Sequence, residues 1–500
     1  MASLVADFWR IAGESPDRPA VRSGQQVLTY GELRKHVAHR AGHLLDVGVR
    51  EGDRAVLVAP SVPEFVVDYY ALQAVGAVVI TVNVMSTVPE IGYVLEDSGT
   101  SLVLAWHECA DAARSAAATA DIPFFVIEPF EDAGESSKAV RSPVDRDENA
   151  VAVILYTSGT TGRPKGAALT VANINSCVPS FRTVLALGPD ERWATALPLF
   201  HVFGQGVVMN TSLSTGASLT LQHPFSPGAF MDLLRDERIT IACGVPTMWN
   251  AMLQAAGDHR PADFAELRLA SSGGASMPGE LIRAFQHRFG CCILEGYGLT
   301  ESTGAATYRG PDDPVGTVGK AVPGMMVEVR DPDGRPVATG DVGEVFVKGP
   351  GVMKGYWNRP EATAAELVDG WLRTGDLGSL DEEGMLRIVD RAKDLIIRGG
   401  YNVYPREVEE VLYAHPDIVE VAVVGVPDDH YGEEIAAVIT PRPGATIRSD
   451  ELRDWAKDRL SAYKVPRIVH CVEELPKGAT GKILKRAIDR DVLRIRSMVE

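Results

Sequence analysis

The sequence predicts an α/β protein of two unequal parts, and three observations predict it. Between Arg54 and Ile127, short apolar runs alternate with helix-length segments, the pattern of strands and helices that build a mostly parallel, covered sheet. The chain has 500 residues, more than one hydrophobic core usually serves, so two or more domains are expected. Beyond residue 393 the pattern changes to a glycine loop, two strands and two short helices, a small α+β unit of about a hundred residues.

The elements follow in order. Thr29 and Glu32 have capping-box spacing, and Leu33, Val37, Ala41, Leu44 and Leu45 follow at helical intervals, with Gly48 as the stop. Arg54–Ala59, Ala77–Val82, Ser101–Ala105 and Phe124–Ile127 read as buried strands. The acidic, apolar-poor segment Pro129–Asn149 reads as a surface connection to a further strand, Val151–Leu155. Ile241–Trp249 and Leu269–Met277 each read as a strand running into small residues or a helix start, and Met385–Val389 as a strand. In the last part, Val419–Val426 and Glu434–Thr440 read as strands, and Arg406–Leu412 and Asp450–Leu460 as helices.

Composition narrows the function. Apolar content of 45% and charged content of 23% are ordinary for a globular protein. A formal charge of −18 argues against a nucleic-acid partner, although a nucleotide site can still be locally basic. Six cysteines are scattered without CxxC or Cys/His metal spacing, which suits a reducing cytoplasm. The N-terminus lacks a basic region followed by an apolar core. The apolar stretch Ala55–Val84 is broken by Pro60, Pro63, Glu64 and Asp68, so no membrane span is expected. A cytoplasmic location follows as the expectation.

The chemistry concentrates at Tyr156-Thr-Ser-Gly-Thr-Thr-Gly-Arg-Pro-Lys-Gly166. Its glycines and the hydroxyls of Thr157, Ser158, Thr160 and Thr161 can turn donors inward, with Arg163 or Lys165 facing a polyanion. Lys165 is followed by Gly166 rather than Ser or Thr, so the loop is not a Walker A element. The run resembles the signature loop of the adenylate-forming enzymes: acyl-CoA synthetases, peptide-synthetase adenylation domains and luciferases. Four further stretches, in the same order as in that family, carry the resemblance across essentially the whole chain.

The resemblance implies a large N-terminal domain of layered α/β subdomains, residues 1–392, and a small mobile α+β domain, residues 393–500. Lys393, in Asp390-Arg-Ala-Lys-Asp394, matches the hinge. The loop residues Thr157, Ser158, Gly159, Thr160, Thr161, Gly162 and Lys165 match nucleotide-phosphate contacts. Leu269–Met277 resembles a segment lining the adenine and acyl pockets, with Gly273, Gly274 and Ala275 at its turn, and Ile241–Trp249 supplies Val245. Glu295-Gly-Tyr-Gly-Leu-Thr-Glu301 is similar to the element whose tyrosine stacks on adenine, whose threonine reaches the α-phosphate and whose glutamate holds Mg²⁺. The chemistry fits, since a ring offers a flat face to a base and a hard oxygen suits Mg²⁺. Glu295, Gly296, Tyr297, Thr300 and Glu301 are therefore site candidates, with Glu301 and Ser158 toward the metal. Asp376 and Arg391 match ribose contacts. Gly399 and Gly400 match the loop that passes the pantetheine arm of coenzyme A. Lys482, in Leu475-Pro-Lys-Gly-Ala-Thr-Gly-Lys, matches the lysine that bridges carboxylate and α-phosphate.

Leu197-Pro-Leu-Phe-His-Val-Phe-Gly204 resembles the element bordering the acyl pocket. His201 stands there as gate or wall and is carried with Lys482, Thr300 and Glu301 among the catalytic positions. Val202, Phe203, Gly204, Gly298 and Gly304 line the acid's path. Amino-acid-activating relatives place an Asp after the matching aromatic, and His201-Val-Phe-Gly offers none. No arginine of the kind used for malonate-like acids is identified, and an unpaired second carboxylate is costly to desolvate, so a monocarboxylic acid is expected. Phe203, Met248, Trp249 and Met277 either narrow the pocket or pack behind it. The expected activity is acid activation by ATP to an acyl adenylate, then transfer to coenzyme A. An acyl carrier protein or an amine as acceptor, an unusual oxyanion as substrate, and a non-catalytic nucleotide-binding protein are the alternatives. Lys165, Glu301, Asp376, Arg391 and Lys482 are all present, against the last of these. A homodimer is the expected assembly.

Overall fold

A computed structural model describes residues 3–129, 139–157 and 163–497. The loop positions Ser158, Gly159, Thr160, Thr161 and Gly162, and part of the acidic connection, lie outside the described residues.

Two sheets with parallel centres form the body of the chain. In the seven-stranded sheet the order is Gly355–Tyr356, Lys165–Thr170, Val151–Thr157, Val78–Thr81, Arg54–Val58, Leu102–Trp106 and Phe124–Ile127. The last five strands run parallel, and a hairpin turns Val151–Thr157 back into Lys165–Thr170 across the phosphate loop. These strands are almost wholly apolar because helices cover both faces. The nine-stranded sheet holds Pro19–Ser23, Ser218–Leu221, Arg192–Thr195, Ile241–Gly244, Leu269–Ser272 and Ile293–Tyr297 as parallel neighbours in that order. Three of these, Ile241–Gly244, Leu269–Ser272 and Ile293–Tyr297, bring their C-terminal ends to one edge, where an open α/β sheet binds ligand.

The helix Tyr30–Asp46 starts at the expected box: Glu32 N donates to Thr29 Oγ1 at 3.2 Å and Thr29 N donates to Glu32 Oε2 at 2.8 Å. Leu33, Val37, Ala41 and Leu44 are buried, but Leu45 is 49% exposed. One residue is a hundred-degree turn of the helix, and Leu45 falls past the edge of the apolar stripe. Met326–Arg330, Gly343–Lys348, Leu367–Val368, Trp371–Leu380 and Leu386–Arg391 form a third sheet that is antiparallel throughout, which the strand–helix alternation did not anticipate.

After the turn Ala392–Asp394, a five-stranded sheet built on the long hairpin Ile418–Asp428 and Gly432–Pro441 carries apolar clusters of its own on both faces. This unit is docked on the rest of the chain. Thr247 Oγ1 donates to Gly481 O at 2.9 Å, Asn250 Nδ2 to Val419 O at 2.9 Å, and Gly279 N to Glu410 Oε2 at 3.2 Å. Among the described residues no helix is long and apolar enough to cross a membrane.

Candidate active site

The phosphate loop is held at its base. Tyr156 OH donates to Asp97 Oδ2 at 2.8 Å, Tyr93 OH donates to Pro164 O at 2.7 Å, and Arg359 pairs with Asp97. Asp97 and Tyr93 lie on the helix Val88–Ser98, so one helix clamps both arms of the hairpin. Gly166 is required there, because a Cβ would lie 2.7 Å from Ile154 Cγ2.

At the loop's exit Lys165 Nζ lies 2.9 Å from Glu366 Oε1 and 4.3 Å from the centroid of the Tyr356 ring. Tyr356 OH donates to Glu301 Oε1 at 3.0 Å, and Thr157 Oγ1 donates to the same oxygen at 3.2 Å. Glu301 sits on the single turn Thr300–Ser302, which follows directly from the strand Ile293–Tyr297 and its glycine link. That link is tight: a Cβ on Gly298 would lie 2.5 Å from the Gly304 carbonyl carbon.

Across the site, Tyr297 OH donates to Asp376 Oδ2 at 2.7 Å and Arg391 Nε lies 3.3 Å from Asp376 Oδ1. Asp376 and Arg391 face each other in register on adjacent antiparallel strands. Burial raises the Asp376 carboxyl, and Arg391, the Tyr297 hydroxyl, Lys482 and Lys393 hold it back. The tyrosine expected to offer its ring to a base therefore also carries the carboxylate by its hydroxyl.

Lys482 reaches this cluster from the docked unit. Its loop is a hairpin in which Gly478 N donates to Lys482 O at 2.8 Å, and Gly481 takes φ 76°, a conformation suited to glycine. Burial, then the Arg391 guanidinium, push the Lys482 ammonium down to about 8, while Asp376 and Asp394 act the other way. Burial, then Lys482, hold the His201 ring at about 4, so it is neutral at pH 7. Phe203 N donates to His201 Nδ1 at 3.3 Å, which assigns the ring proton to Nε2. His201 leads into the π-helix Phe203–Asn210, a rare conformation that often marks functional segments. A Cβ on Gly204 would lie 2.5 Å from Pro198 O, so this entry also needs glycine.

The residues expected along the acid's path are apolar. The Phe203 ring packs against Gly273, Val202 and Val207 pack against Gly304, and Val245 against Gly274, whose φ is 78°. Trp249 and Met277 are fully buried. Glu295 is 3% exposed; its Oε1 accepts from Met277 N at 3.1 Å and its Oε2 has no hydrogen-bond partner among the described residues. Burial pushes its carboxyl up to about 7 against the nearby Arg406 of the docked unit. Gly399 and Gly400 take φ 55° and 83°, Gly399 packs by Tyr431, and the exposed Ile397 and Tyr401 flank the pair. Among the described residues their contacts are within the small unit, away from Lys482.

Tyr356, Glu366, Thr247 and Asp97 escaped the sequence reading. Lys165 and Glu366 are 201 residues apart, and no local spacing joins them. Among the described residues no three His, Cys, Asp or Glu side chains converge as a metal cage. Glu301 with its hydroxyl neighbours is instead an oxygen donor set that suits Mg²⁺, which is usually held by one or two carboxylates together with substrate phosphates.

The family described as AMP-binding enzyme matches residues 8–357, and the C-terminal domain of AMP-binding enzymes matches residues 407–482. A feruloyl-CoA synthase from an Amycolatopsis species is 40% identical over 486 residues, covering 96% of this chain and 97% of the relative. A long-chain-fatty-acid–CoA ligase of Bacillus subtilis is 34% identical over 524 residues, covering 95% and 92%. ATP-bound MatB from Rhodopseudomonas palustris superposes with a TM-score of 0.91 at 33% identity, covering 99% of each chain. Its apo form gives 0.81, so the arrangement here is nearer the ATP-bound one. The chain belongs to the AMP-binding enzyme family and is an AMP-forming acyl-CoA synthetase, activating an acid with ATP and passing it to coenzyme A.

Proposed function

We propose that the acid is a monocarboxylate with an apolar body, and that the residues gathered here divide its activation among them. The observation that carries the reading is the meeting of Lys482 with Asp376, Arg391 and His201 while the small unit is docked. The pocket walls, Val202, Phe203, Val207 and Val245, bring no charge, and His201 is neutral. A second carboxylate would stay unpaired there, which supports a monocarboxylic acid. The feruloyl-CoA synthase relative puts hydroxycinnamates first among the candidates, ahead of fatty acids.

In the first step a carboxylate oxygen attacks the α-phosphorus of ATP, forming the acyl adenylate as the α–β phosphoanhydride breaks and pyrophosphate leaves. Two anions must meet, so cations matter more than a general base. Lys482 bridges the carboxylate and α-phosphate, and Lys165 with its loop receives the β- and γ-phosphates. Thr300 reaches the α-phosphate. Tyr297 stacks on the adenine beside the glycine turn Gly273–Gly274–Ala275. Asp376 accepts from the ribose hydroxyls, and Arg391 holds Asp376 in place. Mg²⁺ would be held by Glu301, and it supplies charge neutralisation on the phosphates when bound. In the second step the thiol of coenzyme A attacks the acyl carbon and AMP leaves. We place the hinge at Lys393, dividing the chain into residues 1–392 and 393–500. Rotation there withdraws Lys482 and presents the Gly399–Gly400 face.

The test is pyrophosphate release over a panel of hydroxycinnamates, benzoates and fatty acids, with and without coenzyme A, beside Lys482→Ala. The expected result is acid-dependent release that Lys482→Ala abolishes, with thioester formed only when coenzyme A is added. Preference for a dicarboxylic acid would refute the pocket reading, and release without thioester would send the acyl group to a carrier protein or an amine.

A further inference from the structure

Among the described residues, the loop cation Lys165 is tied to a carboxylate, Glu366, that the family resemblance does not supply. The strand Gly355–Tyr356 pairs with Lys165–Thr170 so that Tyr356 faces Ala167, which places Lys165 diagonally beside it on the same face. The ammonium thus lies over the Tyr356 ring, and the helix Pro360–Glu366 ends by setting Glu366 against it at 2.9 Å. The Tyr356 hydroxyl, which donates to Glu301, is also 3.5 Å from Glu366 Oε2. Thr363 fixes this segment, since Tyr356 N donates to its hydroxyl at 2.9 Å. Side-chain exposures of 20% for Lys165 and 37% for Glu366 leave the pair half-buried and open to exchange.

We propose that Glu366 is a positioning residue that competes with the polyphosphate for Lys165 and so sets how readily pyrophosphate leaves. The inference rests on the reading of Lys165 as a phosphate contact. When the phosphates engage Lys165, the ammonium gives up Glu366. When the α–β bond has broken, Glu366 stands ready to take it back. Pyrophosphate is a small, highly charged product, and a loop whose lysine had no competing acceptor would hold it longer. Removing the Glu366 charge therefore tightens pyrophosphate binding, whereas a merely structural role for this helix end would loosen it.

The test is calorimetric titration of inorganic pyrophosphate into the full-length protein, comparing wild type, Glu366→Gln, Lys165→Ala and the double variant. A half-buried ion pair of this kind corresponds to about a fivefold effect. The expected result is about fivefold tighter binding in Glu366→Gln, no effect of that substitution in the Lys165→Ala background, and parallel tightening of product inhibition. Unchanged or weaker binding in Glu366→Gln would overturn the proposal, as would tightening that persists without Lys165. If Lys165→Ala alone binds pyrophosphate like wild type, the phosphate role of Lys165 falls with it. If Lys165→Ala weakens binding and Glu366→Gln does nothing, only the competition is refuted.

Discussion

Raising the pH should remove the charge that Lys482 brings to the reaction, and the site itself sets where this happens. Burial and the Arg391 guanidinium lower this lysine from 10.5 to about 8, a difference of about 3 kcal/mol against the charged form. The sign follows directly. Below about pH 8 the ammonium is present and can offset the carboxylate and α-phosphate; above it the lysine is neutral and the two anions repel. In a pyrophosphate-release assay, kcat/KM for ATP reports the free enzyme and should fall about tenfold per pH unit above about 8. Lys482→Arg keeps its charge beyond pH 12, so its profile should stay level through pH 10 at a lower absolute rate. Lys482→Ala should lose on the order of a hundredfold or more. His201, held at about 4, and Glu295, at about 7, titrate below this window. Burial moves Lys393 downward as well, and the arginine variant separates the two lysines. A wild-type profile level through pH 10, or the same falling limb in Lys482→Arg, would refute the assignment.

Three further substitutions probe neighbouring parts of the site. Asp376→Asn removes a buried carboxylate that accepts from Tyr297 at 2.7 Å and pairs with Arg391, and at about 2 kcal/mol it should raise the KM for ATP about thirtyfold. Glu295 has its folded pKa raised from 4.5 to about 7, so its contribution to stability is fully present below 4.5 and is lost as pH rises through about 7. Glu295→Gln should therefore gain about 3 kcal/mol at pH 8 and nothing at pH 4, read as Tm in parallel melts; equal shifts at both would refute the titration. Thr247→Val deletes the bond to Gly481 O, and at about 1 kcal/mol it should slow adenylate formation about fivefold. Thioester formation from supplied acyl adenylate should not change, because on the proposed mechanism that step follows undocking; slowing of both would refute it.

What could be read from the sequence was what consecutive residues carry. The phosphate loop, Glu295–Glu301 and the Lys482 segment each hold several functional groups within a dozen positions, so their residue types declare a chemistry before any fold is known. The alternating apolar runs likewise announced a parallel sheet, since strands covered on both faces have no polar side. Partnerships between segments were not legible. Tyr297 was read for its ring, and only the approach of the strand Trp371–Leu380 reveals that its hydroxyl holds Asp376. Tyr356 and Glu366 meet Lys165 because a two-residue strand adds to the sheet edge there, and nothing near Gly355 in the sequence predicts that pairing. Thr247 matters only because the small unit docks. Of the third sheet only the strand near Met385–Val389 was legible, because the others are half-exposed and carry no long continuous apolar run.

The distribution of charge in the site bears on why one lysine is restrained and another is not. The chain carries a formal charge of −18, yet the reaction brings together two more anions. Preorganised cations are the remedy, but a free buried cation is costly unless something balances it. At the proposed phosphate loop the balance is direct, Lys165 against Glu366 at 2.9 Å, beside the place where pyrophosphate would leave on the proposed mechanism. At the α-phosphate it is indirect: Asp376 lies against Arg391, and the positive Lys393 crowds the same space, so Lys482 shares its carboxylates with competitors. Burial first, and then the neighbouring Arg391, lower Lys482 to about 8, and on the proposed mechanism the arriving substrate anions offset this. A cation left under-compensated where charge develops gains most from the transition state, whereas one compensated where the product departs releases it most readily. The two lysines therefore need different surroundings, and exchanging them, by adding a carboxylate beside Lys482 or removing the one beside Lys165, should slow the enzyme at opposite ends of the same half-reaction.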